Sequence, residues 1–261
     1  MERRERIARL AQSKEDEILL ARVCERIETA CEREIPAATC FLSKREQMLA
    51  AELLRGLPFR FFGGPETAER EMVCCVPEYL DESWLMGEDS PAAALRAHFP
   101  EDETLTHRDF LGALMGCGVK RETVGDIYVR PGACDLLVTR EIAPFLLENL
   151  TSAGRVKLRV ERIALADIVV PEQKTKQIRD TLMNIRLDSV VSSGFFISRG
   201  KAADYIASDK CELNFLPCRK ADRRVAAGDI VTVRGLGKLR LDEVGGTTKK
   251  GRTAVVITRF L

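Results

Sequence analysis

The sequence lacks any apolar run that approaches the roughly 20 residues needed to span a bilayer. Its first residues, MERRERIARLAQSKEDE, are charged and lack the apolar core of a secretory signal. Hydrophobic residues make up 45% of the chain and charged residues 31%, a composition typical of soluble globular proteins. We therefore expect a cytoplasmic protein without membrane attachment.

None of the nine cysteines forms a C-x-x-C pair, so the usual spacings of zinc sites and thioredoxin-type redox sites are absent. Cys24 and Cys31 share helical spacing with Leu20 and Ile27, which favours packing on a helix. The sequence predicts no metal site and no cofactor, and a reducing cytosol is the expected compartment.

Acidic and basic residues balance to a net charge of +1, but the two signs are unevenly distributed. Residues 172–261 contain 18 Lys and Arg against 10 Asp and Glu, a balance of +8. Residues 1–171 contain 23 against 30, a balance of −7. A basic C-terminal segment behind an acidic body predicts a polyanion as partner of that segment, with a merely solvated basic face as the alternative.

Hydrophobic spacing and turn signals predict an α+β protein with three domains. Residues 1–83 are predicted to be a helical N-terminal region with a short strand pair. Residues 84–168 follow the order strand, helix, strand, strand, helix, strand, which is that of a ferredoxin-like, split β-α-β domain. Residues 169–180 are predicted to be a polar linker, and residues 181–261 the last domain.

The ferredoxin-like order is shared with a common RNA-recognition domain that stacks bases on aromatic residues of its central strands. The central strands predicted here offer only Tyr128, so we expect no base stacking on this sheet. His107 lies at a predicted helix start without a recognisable nucleophile nearby, which favours a structural role over acid–base catalysis. Arg108, Lys120 and Arg121 are a candidate second RNA contact, with a solvated face as the alternative.

The stretch RLDSVVSSGFFISRGKAADYIASDK, residues 186–210, predicts two short helices around a tight joint. Gly194 is the expected left-handed end of the first helix, and Ser198 the N-cap of the second. Arg199 and Lys201 then lie at a helix N-terminus, where backbone N–H groups and the helix dipole favour an anion. We expect both side chains to be exposed, to hold a phosphate and to contribute little to folding.

Basic residues continue through the rest of this segment, with Arg219, Lys220, Arg223 and Arg224 in one predicted loop. The predicted RNA contacts are Arg186, Ser198, Arg199, Lys201, Lys210, Arg219, Lys220, Arg234, Lys238 and Arg240.

Several of these residues resemble the alpha-L RNA-binding motif, also called the S-four domain. The residues that carry the resemblance are Arg186, Leu187, Asp188, Gly194, Ser198, Arg199, Ala202, Ile206, Asn214, Gly228 and Asp229. That family often has glycine after the asparagine, where this chain has Phe215, and the loop LPCRKAD that follows also departs from the family's pattern.

Longer segments resemble the YlmH family of bacterial proteins. They are LTHRDFLGALMGCGVKRETVGDIYV (105–129), RGLGKLRLDEVGGTTKKGR (234–252), FLSKREQ and GGPETAERE. The resemblance covers most of residues 41–261. It implies a helical N-terminal part, a ferredoxin-like middle and the RNA-binding unit last, together with association with the large ribosomal subunit and with stalled nascent-chain complexes.

Two enzyme classes and two other partners compete with this interpretation. Arg-Leu-Asp also occurs in pseudouridine synthases, where the Asp is the nucleophile, but only 73 residues follow Asp188 here. GTTKKGRT (246–253) nearly matches a P-loop, but Arg252 replaces the lysine and the next residues read as a strand, so we expect a basic hairpin turn. An acidic protein and an anionic lipid are the alternative partners, and the helix-terminal geometry of Arg199 and Lys201 suits a discrete phosphate better than a diffuse lipid surface.

We therefore predict a non-enzymatic, monomeric RNA-binding protein. Ribosomal RNA of the large subunit is the expected target, because the family resemblance implies it, and contact with tRNA stays open.

Overall fold

The computed structural model describes residues 3–248 and 251–261, and the chain divides into two compact units, Met1–Pro171 and Glu172–Leu261. The α-helices of the described residues are α1 (Arg3–Leu10), α2 (Lys14–Arg33), α3 (Lys44–Leu53), α4 (His107–Gly116), α5 (Ala143–Asn149), α6 (Leu187–Phe195) and α7 (Arg199–Ala207). The strands of the first unit are β1 (Ala37–Ala38), β2 (Arg60–Phe62), β3 (Met72–Cys75), β4 (Ala92–His98), β5 (Val124–Arg130), β6 (Ala133–Thr139), β7 (Ser152–Ala153), β8 (Val156–Lys157) and β9 (Arg159–Ile163). Those of the second unit are β10 (Thr175–Leu182), β11 (Cys211–Leu213), β12 (Leu216–Pro217), β13 (Ile230–Val233), β14 (Gly237–Thr247) and β15 (Thr253–Phe260).

Helices α1 to α3 pack on a three-stranded antiparallel sheet of order β1-β3-β2. Ser43 caps α3 in a capping box, in which Glu46 accepts a hydrogen bond from the Ser43 N–H at 2.6 Å. The two faces of β3 enter different cores, because Val73 packs with the helices whereas Met72 packs with the next sheet. This explains why β3 is buried at every residue.

The central sheet of the first unit has the order β5-β6-β4-β9, and every neighbouring pair is antiparallel. Its elements follow in the predicted order of strand, helix, strand, strand, helix, strand, with the short pair β7–β8 before the last strand. Pro144 lies in the first turn of α5, where its missing N–H removes no helical hydrogen bond. Helices α4 and α5 cover one face of the sheet.

The other face of the central sheet is partly buried against the N-terminal elements of the same unit. Ala94 and Leu137 of the sheet share a core with Phe41, Phe62 and Met72. The predicted domain boundary between residues 83 and 84 therefore falls inside one compact unit.

The second unit is built on a six-stranded antiparallel sheet of order β10-β15-β14-β13-β11-β12. Helices α6 and α7 pack on one face, where Val190, Ile206, Leu239 and Ile257 are fully buried. Strand β10 pairs with β15 over eight residues, so residues 175–180 of the predicted linker are part of this sheet. Most polar residues of β10 are exposed, and only Ile178 and Leu182 enter the core, which is why the sequence of this segment resembles a linker.

The predicted turn at 246–253 joins β14 to β15, but Lys249 and Lys250 lie outside the described residues. A strand follows this turn where a P-loop requires a helix, so the segment does not have the architecture of a nucleotide-binding loop.

No helix among the described residues is long and apolar enough to cross a membrane.

Candidate nucleic-acid interface

The two helices of the second unit meet at a joint set by Phe196, which takes the left-handed conformation with φ 56°. The prediction that Gly194 ends the first helix in this conformation is wrong. Gly194 lies inside α6, and a β-carbon there would come within 2.5 Å of Leu239 Cδ1. Gly194 is therefore needed for close packing of the helix on the sheet, and the chain turns two residues later.

Asp188 is the centre of a charged cluster at the start of α6. Its carboxylate accepts a hydrogen bond from Arg199 Nη2 at 2.8 Å and lies 3.4 Å from Arg186 Nε. Burial opposes its ionisation, but the hydrogen bond and charge of Arg199, with the charge of Arg186, outweigh burial and hold the pKa of Asp188 below 3.8. The side chain of Asp188 is 8% exposed, so one buried carboxylate fixes two arginines at the surface.

The pairing of Arg199 corrects one expectation. Its side chain is 55% exposed, as predicted, but it is not an independent cation because Asp188 holds it. Replacing Arg199 by an acid would put two carboxylates side by side, so such a variant would test folding as well as binding. Ser198 caps α7 as predicted, since its Oγ accepts a hydrogen bond from the Lys201 N–H at 3.2 Å.

A loop folds back onto the N-terminus of α6. The N–H of Leu187 donates to the carbonyl oxygen of Arg223 at 2.9 Å, and that of Asp188 donates to Ala221 at 3.0 Å. Arg224 forms an antiparallel bridge with Arg186. The loop therefore satisfies this helix end and brings the exposed Arg223 and Arg224 next to the Asp188 cluster.

We define the helical basic surface by the cations that these contacts bring to the starts of α6 and α7. Its members are Arg186, Arg199, Lys201, Lys220, Arg223 and Arg224. Arg223 and Arg224 were not among the RNA contacts predicted from the sequence. The sequence indicated only that they belong to a basic loop. The main-chain hydrogen bonds to α6 show that this loop lies at the start of that helix.

Three other predicted contacts cluster beyond the end of α7. Arg219 forms an ion pair of 2.6 Å with Asp209, and the N–H of Arg234 donates to the carbonyl oxygen of Lys210 at 2.8 Å. The hydrogen bond and charge of Arg219 and the charge of Arg234 lower the pKa of Asp209. This group therefore lies beyond the end of α7, whereas Arg199 and Lys201 lie at its start, and Asp209 partly neutralises it.

Lys238 and Arg240 lie on the opposite side of the sheet from the helices. They alternate along β14 with Leu239 and Leu241, which enter the core under α6 and α7. Arg240 Nε pairs with Asp242 at 2.6 Å. The ten predicted contacts are thus distributed over three surfaces rather than one.

Asn214 and Asp229, two residues of the alpha-L motif, stabilise the β11–β12 hairpin. Asn214 and Phe215 both have positive φ, 50° and 64°, as the central residues of a two-residue hairpin loop require. The Asn214 side chain donates to Asp229 at 2.8 Å and accepts from the N–H of Ile230 at 2.9 Å. Phe215 therefore adopts the conformation for which the resembled family often uses glycine.

The three residues of the candidate second RNA contact, in the first unit, differ in exposure and in hydrogen bonding. Arg108 and Lys120 are exposed, but Arg121 donates hydrogen bonds to the carbonyl oxygens of Val124 and Gly125. Burial, with the like charge of Arg70, lowers the pKa of Arg121 to about 10. Arg121 therefore supports the backbone at the start of β5.

Tyr128 is half-buried, and its hydroxyl donates to Asp126 at 3.2 Å. Asp109 accepts hydrogen bonds from the N–H and the hydroxyl of Thr106 at 2.8 and 2.6 Å, so the residue next to His107 and Arg108 holds the start of α4. Among the described residues there is no group of three or more His, Cys, Asp or Glu side chains that could hold a metal ion.

Comparisons with known proteins agree on one family. A family model described as "Putative RNA-binding domain in YlmH" matches residues 92–167. The "Ribosome-associated protein quality control protein P2" of Bacillus subtilis (strain 168) is 32% identical over 226 residues, which cover 85% of this chain and 86% of that protein. The solved structure of "Cell division protein ylmH from Streptococcus pneumoniae" superposes with a TM-score of 0.50 at 17% identity, covering 61% of this chain and 97% of that chain, which shows a similar fold.

Proposed function

The chain belongs to the YlmH family, and we propose that it is a non-catalytic RNA-binding protein that grips structured RNA with its second unit. The observation that carries this proposal is the helical basic surface around Asp188. A buried carboxylate orients two guanidinium groups, and a hydrogen-bonded loop adds two more. Guanidinium groups held in this way suit phosphate oxygens, because their orientation is fixed before the ligand arrives.

The proposed mode of recognition is contact with the RNA backbone. Side chains cannot enter the narrow major groove of an RNA double helix, so proteins recognise such helices mostly by shape and through phosphate and 2′-hydroxyl groups. The arginines of the helical basic surface supply phosphate contacts of this kind. Lys201 extends the surface at the start of α7, where the helix dipole also favours an anion.

The finer architecture is part of the same proposal. We assign residues 181–261 to an S-four-type alpha-L domain, which the pair α6–α7 on its sheet supports. We assign residues 84–168 to a ferredoxin-like domain, supported by the antiparallel strand order β5-β6-β4-β9.

The proposed partner is ribosomal RNA of the large subunit, and the proposed setting is the cytoplasm, with the protein acting as a monomer on stalled nascent-chain complexes. The name of the Bacillus subtilis relative, which places that protein in ribosome-associated quality control, supports this assignment. The +8 charge of residues 172–261 supports a polyanion as partner of the second unit.

We assign Asp188 an orienting role and no catalytic one. Both of its oxygens face arginines, Arg199 at 2.8 Å and Arg186 at 3.4 Å, and its side chain is buried. A pseudouridine synthase would release tritium from RNA labelled at C5 of uridine. We expect no release by this protein, and a turnover that disappears in Asp188→Asn would overturn the non-catalytic assignment.

The binding proposal is tested by reversing two exposed cations of the helical basic surface, Arg223→Glu with Arg224→Glu. The matched control is Arg22→Glu with Arg26→Glu, which makes the same change of charge on the exposed face of α2. We expect the first variant to bind purified large-subunit rRNA roughly tenfold or more weakly and the control to bind like wild type, because two phosphate contacts become repulsive.

Sedimentation of the same proteins with separated ribosomal subunits extends this test. Wild type and control should sediment with the large subunit, and the Arg223 and Arg224 variant should remain largely in the supernatant. Equal losses in the variant and the control would mean that net charge alone drives binding, and the proposed surface would be wrong.

A further inference from the structure

One end of the central sheet in the first unit presents charged side chains on the face opposite α4 and α5. Along β4, Leu95 and Ala97 enter the core under the helices, so Arg96 and His98 point to the other face. The N-terminal elements cover that face at Ala94 and Leu137. Beyond this cover, His98 keeps about a third of its side chain exposed.

The strand register aligns basic residues from three strands in one row. Arg130 of β5 pairs with Ala133 of β6, which pairs with His98 of β4, which pairs with Arg159 of β9. Since neighbouring strands lie about 4.8 Å apart, the row extends over about 14 Å. Lys157 precedes Arg159 by two residues and is exposed. We call Lys157, Arg159, His98 and Arg130 the sheet basic row.

The next row of the sheet contacts two members of the sheet basic row, because Asp135 lies beside Arg130 and Glu161 Oε1 lies 2.7 Å from His98 Nε2. It contains Asp135, which is completely buried and accepts two hydrogen bonds from Arg96 at 2.7 and 2.8 Å. Arg130 Nη1 lies 3.1 Å from the same carboxylate, and the N–H of Val169 donates to it at 2.8 Å. Burial alone would raise the pKa of Asp135, but these partners hold it below 3.8. Asp135 therefore stays ionised and orients both arginines.

The same arrangement of a buried carboxylate that orients two arginines occurs at Asp188 in the second unit. Here it lies on a sheet face that the N-terminal elements cover in part. Arg159 follows on the edge strand β9, and the exposed Lys157 lies two residues before it in the separate pair β7–β8. The first unit carries a net charge of −7, so a local concentration of cations is not explained by its composition.

We propose that the sheet basic row is a second RNA-binding surface that contacts the sugar-phosphate backbone. The proposal rests on the RNA-binding function proposed above and assigns a different part of the chain to it. Lysine and arginine side chains distributed along a row suit a polymer of phosphates. The row lacks aromatic side chains, so phosphate contact rather than base stacking is the expected mode. The matched RNA-binding family model spans all four residues.

The test reverses the two exposed cations of the row, Lys157→Glu with Arg159→Glu, in the full chain. Arg130 is left unchanged because it contacts the buried Asp135. The control is again Arg22→Glu with Arg26→Glu, in the same unit and with the same change of charge. Thermal unfolding of each variant checks that its fold is retained, and purified large-subunit rRNA is the probe.

We expect the row variant to lose affinity about tenfold more than the control does. The log–log slope of affinity against salt should fall by about 1.4–1.8, the value for two lost phosphate contacts. Photocrosslinking of the wild-type protein to the probe should yield RNA-linked peptides that contain Lys157 or Arg159.

The outcomes separate this proposal from the function on which it rests. If the row variant binds like the control while Arg223→Glu with Arg224→Glu loses binding, the second surface is wrong and the proposed function stands. If wild type binds no RNA, both fail. Unchanged affinity of the row variant for the rRNA probe, together with weaker binding than the control to intact large subunits, would assign the row to a protein partner and overturn the proposal.

Discussion

At Gly194 the missing β-carbon decides how closely α6 can approach its sheet. An added β-carbon would come within 2.5 Å of Leu239 Cδ1 and 2.9 Å of Cδ2, and Leu239 is fully buried. We expect Gly194→Ala to lower the free energy of unfolding by about 1–2 kcal/mol, because overpacking costs about 1–3 kcal/mol and the better helix propensity of alanine offsets at most about 1 kcal/mol.

Gly200→Ala is the matched control for this prediction. Gly200 lies at the start of α7, and the nearest atom to an added β-carbon is Ser198 Oγ at 4.0 Å. This change should leave stability unchanged or raise it by up to about 1 kcal/mol. Urea unfolding of the two variants gives the comparison, and equal effects would show that Gly194 is not a packing residue.

The lowered pKa of Asp188 predicts that this residue makes a pH-dependent contribution to stability. Its pKa is lower in the folded protein than its usual value of 3.8, so its contribution is fully present above that value and is lost as pH falls through the folded pKa. At pH 7 we expect Asp188→Ala to cost about 1–2 kcal/mol, less than for a fully buried pair because the Arg199 side chain is 55% exposed.

The measurement compares urea unfolding of Asp188→Ala and wild type at pH 7 and at pH 3. The difference between them should shrink at the lower pH. A difference that is the same at both pH values would mean that the pairing with Arg186 and Arg199 contributes nothing through charge.

Residue roles that depend on neighbours along the chain could be predicted, and roles that depend on distant partners could not. Ser198 caps the predicted helix because a capping hydrogen bond spans only three residues. The left-handed residue was predicted at Gly194 and is Phe196. Glycine is the residue that most favours this conformation, and Leu239, the contact that explains Gly194, lies 45 positions away in the chain.

Helices and strands with a strong hydrophobic period could be recognised in the sequence, whereas the strands with which they pair could not. The order of strands and helices over residues 84–168 followed from local spacing and turn residues, and the structure has this order with the short pair β7–β8 added. Strand β10 was assigned to a linker because it alternates weakly and pairs with β15 near the end of the chain. Register was also beyond prediction, so the alignment of Arg130, His98 and Arg159 became visible only in the folded sheet.

At the scale of the whole molecule, the charge asymmetry of the sequence coincides with the division into two compact units at residues 171 and 172. Each unit carries its own buried core and its own buried carboxylate with two arginines. We therefore propose that both units contact RNA phosphates. We expect the second unit to bind RNA more tightly, because only that unit is basic overall.

This division predicts how the two halves bind RNA. The fragment 172–261 should fold alone, because its core is formed by its own residues, and should bind large-subunit rRNA with an affinity that falls steeply with salt. Each phosphate contact adds roughly 0.7–0.9 to the log–log slope of affinity against salt.

The fragment 1–171, with a charge of −7, should bind naked RNA poorly, and its remaining RNA binding should be lost with Lys157→Glu and Arg159→Glu. The full chain should discriminate intact large subunits from free rRNA better than either fragment, because linkage raises the effective concentration of the second contact. Affinities of the three proteins for one rRNA fragment and for large subunits, at two salt concentrations, provide the measurement, with circular dichroism as the check on folding. Tight binding by 1–171 with none by a folded 172–261 would contradict the assignment of the main RNA-binding surface to the second unit.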